Sequence, residues 1–293
     1  MKDRQASATA LLIAASLVLM DKNPAYAGAV STVSAELSAR VLASYSPVSR
    51  CFLKLLGRSW FWRITDLLER LTIPGILRHY ALRKKCIAQV AREAIDEGIS
   101  QIVILGAGFD ALVVDLHRRF ANARFWEIDH PATQHCKQSV LNSADVPAIH
   151  FIATDLSLAG LNGESLKAAS FVPEQKTLWL AEGLLMYFSE RAVQRLLDEM
   201  REISGLGSRI IFTFMERDAE SRIRFGKQRR LVEWWLRRRR EPFRWGIETE
   251  KLAEFISPWL VVRVYDDRDL RKLDPADGKR ALAAGELICL AEF

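Results

Sequence analysis

QIVILGAGFDALVVDLHRRFANARFWEID, residues 101–129, decides the fold. Gln101–Leu105 reads as a strand, Gly106-Ala107-Gly108 as a tight turn, the segment through about Phe120 as a helix, and the run ending at Asp129 as a second strand. Strand, glycine turn and helix form half of a βαβ nucleotide site. Gly106 allows a sharp turn, and Gly108 lets a ligand approach the backbone with no Cβ between them. Asp129 follows Gly108 by 21 residues, at the carboxyl end of the second strand. A carboxylate placed there can accept hydrogen bonds from both hydroxyls of a ribose.

Residues 106–111, Gly-Ala-Gly-Phe-Asp-Ala, match the dinucleotide pattern G-x-G-x-x-G/A, so the turn alone does not choose the nucleotide. Asp110 discriminates. A carboxylate at this turn repels a pyrophosphate and suits a ligand with an ammonium and a sulfonium, such as S-adenosylmethionine. The competing reading is that Asp110 caps the following helix, since Asp is favoured there; one side chain can serve both purposes.

Working outward, strands are predicted at 101–105, 123–129, 149–155, 176–182, 208–216, 260–266 and 285–292. The first five are Ile-, Val-, Phe- and Leu-rich with little alternation, as in parallel strands buried on both faces. Helices are predicted between them near 111–120, 131–143 and 189–204. Such alternation implies a doubly wound α/β sheet. Acids close five successive strands: Asp110, Asp129, Asp155, Glu182 and Glu216. Ligands of open α/β sheets bind at the carboxyl ends of strands, so this edge suits a cationic, hydroxyl-rich ligand and disfavours phosphates.

Upstream, residues 8–20, 31–44 and 76–97 read as helices, and Trp60, Phe61 and Trp62 fall at helical spacing with leucines over 50–72. That cluster reads as helical core or a pocket wall. Ala8–Met20 with Ala25-Tyr26-Ala27 resembles a secretory signal at residues 1–27. Its thirteen residues are too few to span a bilayer, and Asp21-Lys22 follows directly. The favoured reading is a retained amphipathic helix, with Thr9, Ser16 and the alanines on one side and Leu12, Ile13, Leu17 and Leu19 on another, in a cytoplasmic protein.

The 293 residues, 49% hydrophobic and 27% charged, suit one large globular α/β unit with additions. The net charge of +6 is local: Glu216–Arg244 holds eleven Lys/Arg against five Asp/Glu. This basic segment, with Trp234 and Trp235, reads as a lid whose arginines recruit an acidic acceptor, as a solvated helix packed by its tryptophans, or as a nucleic-acid surface. No nucleic-acid module accompanies it, so none is expected as a partner. The four cysteines are scattered without metal spacing, so free thiols and no metal are expected.

QIVILGAGFD, FWEIDHPATQ, ATDL and LAEGLLMYFS, in this order and spacing, resemble the leucine carboxyl methyltransferase-like family of S-adenosylmethionine-dependent O-methyltransferases. The resemblance runs from about Ala8 to Leu206 and thins after 217. It implies a seven-stranded class I methyltransferase sheet (98–293) behind an N-terminal helical segment (1–97), with a basic lid insertion at 217–247. It further implies that Gly106 and Gly108 face the methionine part of the cofactor, that Asp129 holds the ribose, and that Asp155 and the Leu156 N–H read the adenine. Glu182 would sit beside the cofactor's amino end, Arg83 would pair with its carboxylate, and Tyr187 would close the pocket near the transferred methyl. One departure stands out: the family turn continues Asp-Thr-Arg, whereas here it is Asp110-Ala111-Leu112.

The function expected is O-methylation of a carboxylate or hydroxyl on a small metabolite or peptide. A carboxylate nucleophile needs no strong base, which fits a sequence without an evident catalytic dyad. His130 and His150 are candidate bases by residue type and are better read as structural. The competing readings are an NAD(P)-dependent oxidoreductase and a non-catalytic binding or membrane-surface protein using the basic Trp helix.

Overall fold

The computed structural model describes residues 6–141, 149–274 and 280–293. Among the described residues, five α-helices precede the first strand: α1 (Ala8–Lys22), α2 (Thr32–Tyr45), α3 (Pro47–Leu56), α4 (Ser59–Thr72) and α5 (Ile76–Asp96). The aromatic stretch over 50–72 is thus two helices. Gly57 ends α3, and the Trp62 indole N–H returns to the Leu56 carbonyl at 2.7 Å across the corner.

The core then alternates as expected. Strands β1 (Gln101–Leu105), β2 (Arg124–Asp129), β3 (Ile149–Ala153), β4 (Thr177–Ala181) and β5 (Arg209–Met215) are parallel, while β6 (Leu260–Tyr265) and β7 (Glu286–Glu292) close one edge. The order is β3-β2-β1-β4-β5-β7-β6, with β7 antiparallel to both neighbours. The connections reverse direction between β1 and β4, which opens a crevice at the carboxyl ends of these two strands. Helices α6 (Leu112–Arg119), α7 (Pro131–Gln138), α8 (Leu156–Ala159), α9 (Gly163–Ala168), α10 (Glu190–Glu202), α11 (Arg230–Arg239), α12 (Thr249–Phe255) and α13 (Asp267–Lys272) follow among the described residues, with short 3-10 turns at Pro24–Tyr26 and Leu185–Tyr187. The helix expected over 131–143 ends at Gln138; residues 142 and 143 lie outside the described residues.

β1 and β4 are buried along their whole length, as continuous apolar runs with helices on both sheet faces must be. One core layer joins Trp126, Trp179, Phe212 and Phe214 to the α10 residues Val193, Leu196 and Leu197. The other joins α5 residues Leu82, Ile87, Val90 and Ala91 to Ile102, Ile104, Leu180 and Ile211.

The N-terminal run is an integral helix of this body. Ser7 caps α1 by accepting from the Ala10 N–H at 3.1 Å, and Ala14, Leu17, Val18, Leu19 and Met20 are buried. The expected division of faces needs correction. Leu12 stands half in water, and Ser16 is buried, with its hydroxyl donating to the Leu12 carbonyl at 2.9 Å. An intrahelical bond satisfies the serine, so a polar residue costs little on the buried side. Among the described residues, no helix is long and apolar enough to cross a membrane.

Candidate functional site

A cavity of about 440 Å³ opens at the carboxyl ends of β1 and β4. The glycine turn forms its floor. Gly106 and Gly108 have φ of +62° and +55°, in the left-handed region that favours glycine. A Cβ on Gly106 would lie 2.5 Å from Leu184 Cδ1, and one on Gly108 would lie 3.4 Å from the Ala10 Cβ of α1. The first helix therefore lies directly against the turn, and Thr9, Ala10, Ile13, Ala14 and Leu17 line the cavity.

Asp129 sits at the end of β2 and lines the pocket. Its carboxylate accepts from the Gly108 N–H at 2.6 Å and from the His130 N–H at 2.5 Å. Burial pushes this carboxyl above the ordinary range, and the two amides pull the other way. Asp129 thus anchors the glycine turn as well as facing the cavity, a role the spacing alone does not reveal. Asp155 lines the same pocket and also caps α8, accepting from the Ser157 N–H at 3.0 Å and its hydroxyl at 2.6 Å. Leu156 follows as a buried pocket wall.

Asp110 does both things the sequence allows. It accepts the Leu112 N–H at 3.1 Å at the start of α6, and it faces the pocket in an ion pair with Lys84. Burial would raise its carboxyl, but Lys84 outweighs this and holds it below the ordinary range. Lys84 also bonds Glu182 at 3.0 Å, so one ammonium bridges the acids that follow β1 and β4. Burial would lower the Lys84 ammonium's pKa; the two carboxylates raise it.

Arg83 reaches the cavity wall from α5 with its guanidinium engaged by two acids. Its Nε and Nη2 donate to Glu182 Oε1 at 3.0 and 2.8 Å, and its Nη1 donates to both Glu286 oxygens at 2.8 and 2.7 Å. His79 Nε2 lies 2.8 Å from the same Glu286. Against the cost of burial, these partners raise the arginine further and hold the Glu286 carboxyl down at about 2.

Tyr187 lines the pocket, and burial pushes its phenol far above the ordinary range, the neighbouring Tyr80 adding to this. The segment after α11 docks beside it: Arg244 and Trp245 donate to the Met186 carbonyl at 2.7 and 3.2 Å. Arg240, Glu241 and Arg244 from this segment form part of the cavity wall. The basic insertion therefore contributes to the pocket.

Glu216, expected among the acids of the ligand edge, is not part of this lining. Its carboxylate accepts the Thr249 hydroxyl at 2.7 Å, and its backbone pairs with Ile247, because the chain after β5 turns away to start the insertion. Of the two histidines, His130 lines the cavity and caps α7, whereas His150 stacks on Trp126 with ring centroids 5.5 Å apart.

Three features escaped the sequence reading. Lys84 had a signal, standing next to Arg83 one step around the same helix. Glu127 and Lys137 form a buried ion pair at 2.6 Å beneath the turn, where Lys137 also donates to the Asp110 carbonyl at 2.6 Å. Glu241, directly after the run Arg237–Arg240, had no signal at all.

The donor set suits a ligand with hydroxyls and an amine: paired glycines for close backbone approach, carboxylates after four strands (Asp110, Asp129, Asp155 and Glu182), and the cations Arg83 and Lys84 that keep the acids from repelling one another. Its volume lies within the range of about 300–1,000 Å³ usual for small-molecule pockets.

Residues 29–201 match the family model for leucine carboxyl methyltransferase. A protein of Mycobacterium bovis (strain BCG / Pasteur 1173P2), provisionally named an S-adenosyl-L-methionine-dependent methyltransferase, is 32% identical over 173 residues, 59% of this chain and 55% of its own length. A similarly named protein of Frankia alni is 33% identical over 144 residues, 49% of this chain and 50% of its own. The chain thus spans about half the length of the curated relatives it matches. A crystal structure from Thermobifida fusca YX, provisionally titled a methyltransferase, superposes with a TM-score of 0.59 at 17% identity, covering 87% of this chain and 93% of that one; this likeness concerns the fold. Because one family pattern runs unbroken from the N-terminal helices through the glycine turn to α10, the chain belongs to the leucine carboxyl methyltransferase family.

Proposed function

We propose that the protein is an S-adenosylmethionine-dependent O-methyltransferase acting on a carboxylate or hydroxyl of a small metabolite or peptide. The observation that carries this reading is the acid-lined cavity over the Gly106–Gly108 turn. Asp129 would hold the ribose hydroxyls, Asp155 and the Leu156 N–H the adenine, and Gly106 and Gly108 the methionine chain. Glu182 would lie beside the amino group, and Asp110 would favour the cationic end. Arg83, with Lys84, would supply positive charge toward the carboxylate. The relatives' names point to the same cofactor.

The cofactor, when bound, supplies an electrophilic methyl on sulfur. The chain's own task is to align an acceptor oxygen with it and exclude water, and alignment of this kind can lower a barrier by about 7–11 kcal/mol. Tyr187, with Thr9 beside it, would close the pocket near the transferred methyl. Arg240 and Arg244, on the insertion side of the wall, would orient an acidic acceptor. An ionised carboxylate then needs no base, whereas a hydroxyl would turn to His130, the histidine on the lining.

Labelled methyl transfer from S-adenosylmethionine into cell extract, with mass identification of the product, tests the reaction. Calorimetric titration tests the cofactor: binding of NADH and not of S-adenosylhomocysteine would overturn the reading. Arg83→Ala should weaken S-adenosylmethionine more than adenosine, since only the former carries a carboxylate; equal losses would make Arg83 purely structural.

A further inference from the structure

Five large apolar side chains stand in water along one face of α4. Trp60, Ile64, Leu67, Leu68 and Leu71 are each between 43% and 56% exposed. At about 3.6 residues per turn they fall within an arc of about 100°. Arg63 and Arg70 border that stripe on one side. The opposite side of α4 is engaged by the chain itself: Phe61 and Trp62 pack against the cluster of α1 to α3, and Glu69 accepts the Leu77 N–H at 3.1 Å.

Helix α11 starts where α4 ends, the Arg229 N–H donating to the Thr72 carbonyl at 3.1 Å. It brings two more exposed apolar residues, Leu231 and Trp234, 62% and 56% exposed. Arg237, Arg238 and Arg239 follow, all exposed, and the Arg238 guanidinium lies 5.7 Å over the Trp234 ring. Residues 46–72 and 229–240 together hold eleven Lys/Arg against three Asp/Glu, and one of those acids, Glu69, is buried. Monomeric proteins rarely expose an apolar stripe of this extent without a use for it.

We propose that the α4–α11 surface docks on an anionic lipid bilayer, with the protein lying at the interface rather than crossing it. Aliphatic and Trp side chains on one face with arginines at its margin are the composition of interfacial helices. Tryptophan settles at the headgroup level, and basic residues near the surface are drawn to anionic lipid. The same features argue against the two other occupants. A two-fold pairing with a second copy would set this net positive surface against itself. A nucleic acid would engage the arginines and the tryptophans but has no use for Ile64, Leu67, Leu68 and Leu71.

Co-sedimentation of the full chain with vesicles tests the assignment without any methyl transfer. The protein should bind equimolar phosphatidylcholine–phosphatidylglycerol vesicles, bind phosphatidylcholine vesicles far less, and lose binding as salt rises. Leu67→Gln combined with Leu71→Gln should weaken binding by at least about tenfold, since two leucines would no longer bury their surface. Arg237→Gln, Arg238→Gln and Arg239→Gln together should do the same through charge. Both variants should melt as the parent does, because all five positions are exposed. Failure to bind anionic vesicles would overturn the proposal, as would binding indifferent to the leucine changes. A concentration-dependent dimer in light scattering that the leucine variant abolishes would assign the face to a second copy. RNA binding retained by the leucine variant, with no vesicle binding, would assign it to nucleic acid.

Discussion

Glu241 ties Thr9 to a segment 232 residues away: its carboxylate accepts the Thr9 N–H at 2.9 Å and the Thr9 hydroxyl at 2.5 Å, and it also takes the Ala8 N–H at 3.1 Å. Helix α1 has no acid in its own first turn. The insertion after β5 therefore supplies the negative charge that its N-terminal dipole and free amides call for. The two segments that wall the pocket from above are thereby fastened to each other.

Removing that fastening should loosen the pocket roof. Glu241→Ala is expected to cost about 1–3 kcal/mol, the range for losing a helix cap with charge-assisted bonds. Amide exchange over residues 8–20 should accelerate more than in β1 or β4. Unchanged protection there would mean that the apolar packing of Leu17, Val18 and Met20 holds α1 unaided.

Asp129 is expected to affect both ligand and turn, and two substitutions separate these effects. Asp129→Asn keeps an oxygen for one of the amides of Gly108 and His130 but loses the charge. It should weaken S-adenosylhomocysteine binding by about 1.5–3 kcal/mol, or roughly tenfold to a hundredfold, with a modest change in melting. Asp129→Ala should lose thermal stability as well, since both amides lose their acceptor. An unaltered dissociation constant in a folded Asp129→Asn protein would remove the residue from the cofactor site.

These two residues also mark how far the sequence could be read. Asp129 was legible because strand, glycine turn and spacing are local features with a fixed geometric meaning, and the strand runs 101–105 and 176–182 were legible because burial on both faces leaves continuous apolar stretches. Glu241 was illegible because its meaning depends on a contact across 232 residues, and a lone acid among arginines reads as surface. Glu216 shows the converse. Its position at a strand end looked like that of the other acids, but the local pattern could not show that the chain bends away after β5. Position also told more than partners did for Arg83: its place at the pocket wall was expected, and its bonds to Glu286 were not, because β7 lies more than two hundred residues downstream.

The buried pair beneath the turn gives a third expectation. Lys137 and Glu127 are both nearly inaccessible, and burial pushes the Glu127 carboxyl up while Lys137 opposes it. Lys137→Met leaves Glu127 with a buried charge and should destabilise the fold by about 3–5 kcal/mol. Adding Glu127→Leu should recover much of that loss, since an apolar pair avoids the desolvation cost. A double variant as unstable as Lys137→Met alone would show that the bond from Lys137 to the Asp110 carbonyl, rather than the ion pair, is what the site requires.

The last expectation concerns acid. Glu286 is fully buried against Arg83 and His79, and its carboxyl is held at about 2 instead of its ordinary 4.5. The unfolded chain therefore takes up a proton at this residue before the folded chain does. The stabilisation is complete above about pH 4.5 and is lost progressively as pH falls toward 2. At about 1.4 kcal/mol for each unit of displacement, it is of the order of a few kcal/mol. Burial pushes Asp129, Glu127 and Glu69 in the opposite direction, so the protein's overall acid profile mixes both senses. A comparison with Glu286→Gln isolates the one residue. The variant should be less stable at neutral pH, because Arg83 keeps Glu182 but loses a charged partner. Its deficit relative to the parent should stay constant down to about pH 5 and shrink between 4.5 and 2. Denaturant unfolding of both proteins across that range measures it. A deficit independent of pH would mean that Glu286 contributes through shape and neutral hydrogen bonds, and that the charge on Arg83 is balanced by Glu182 alone.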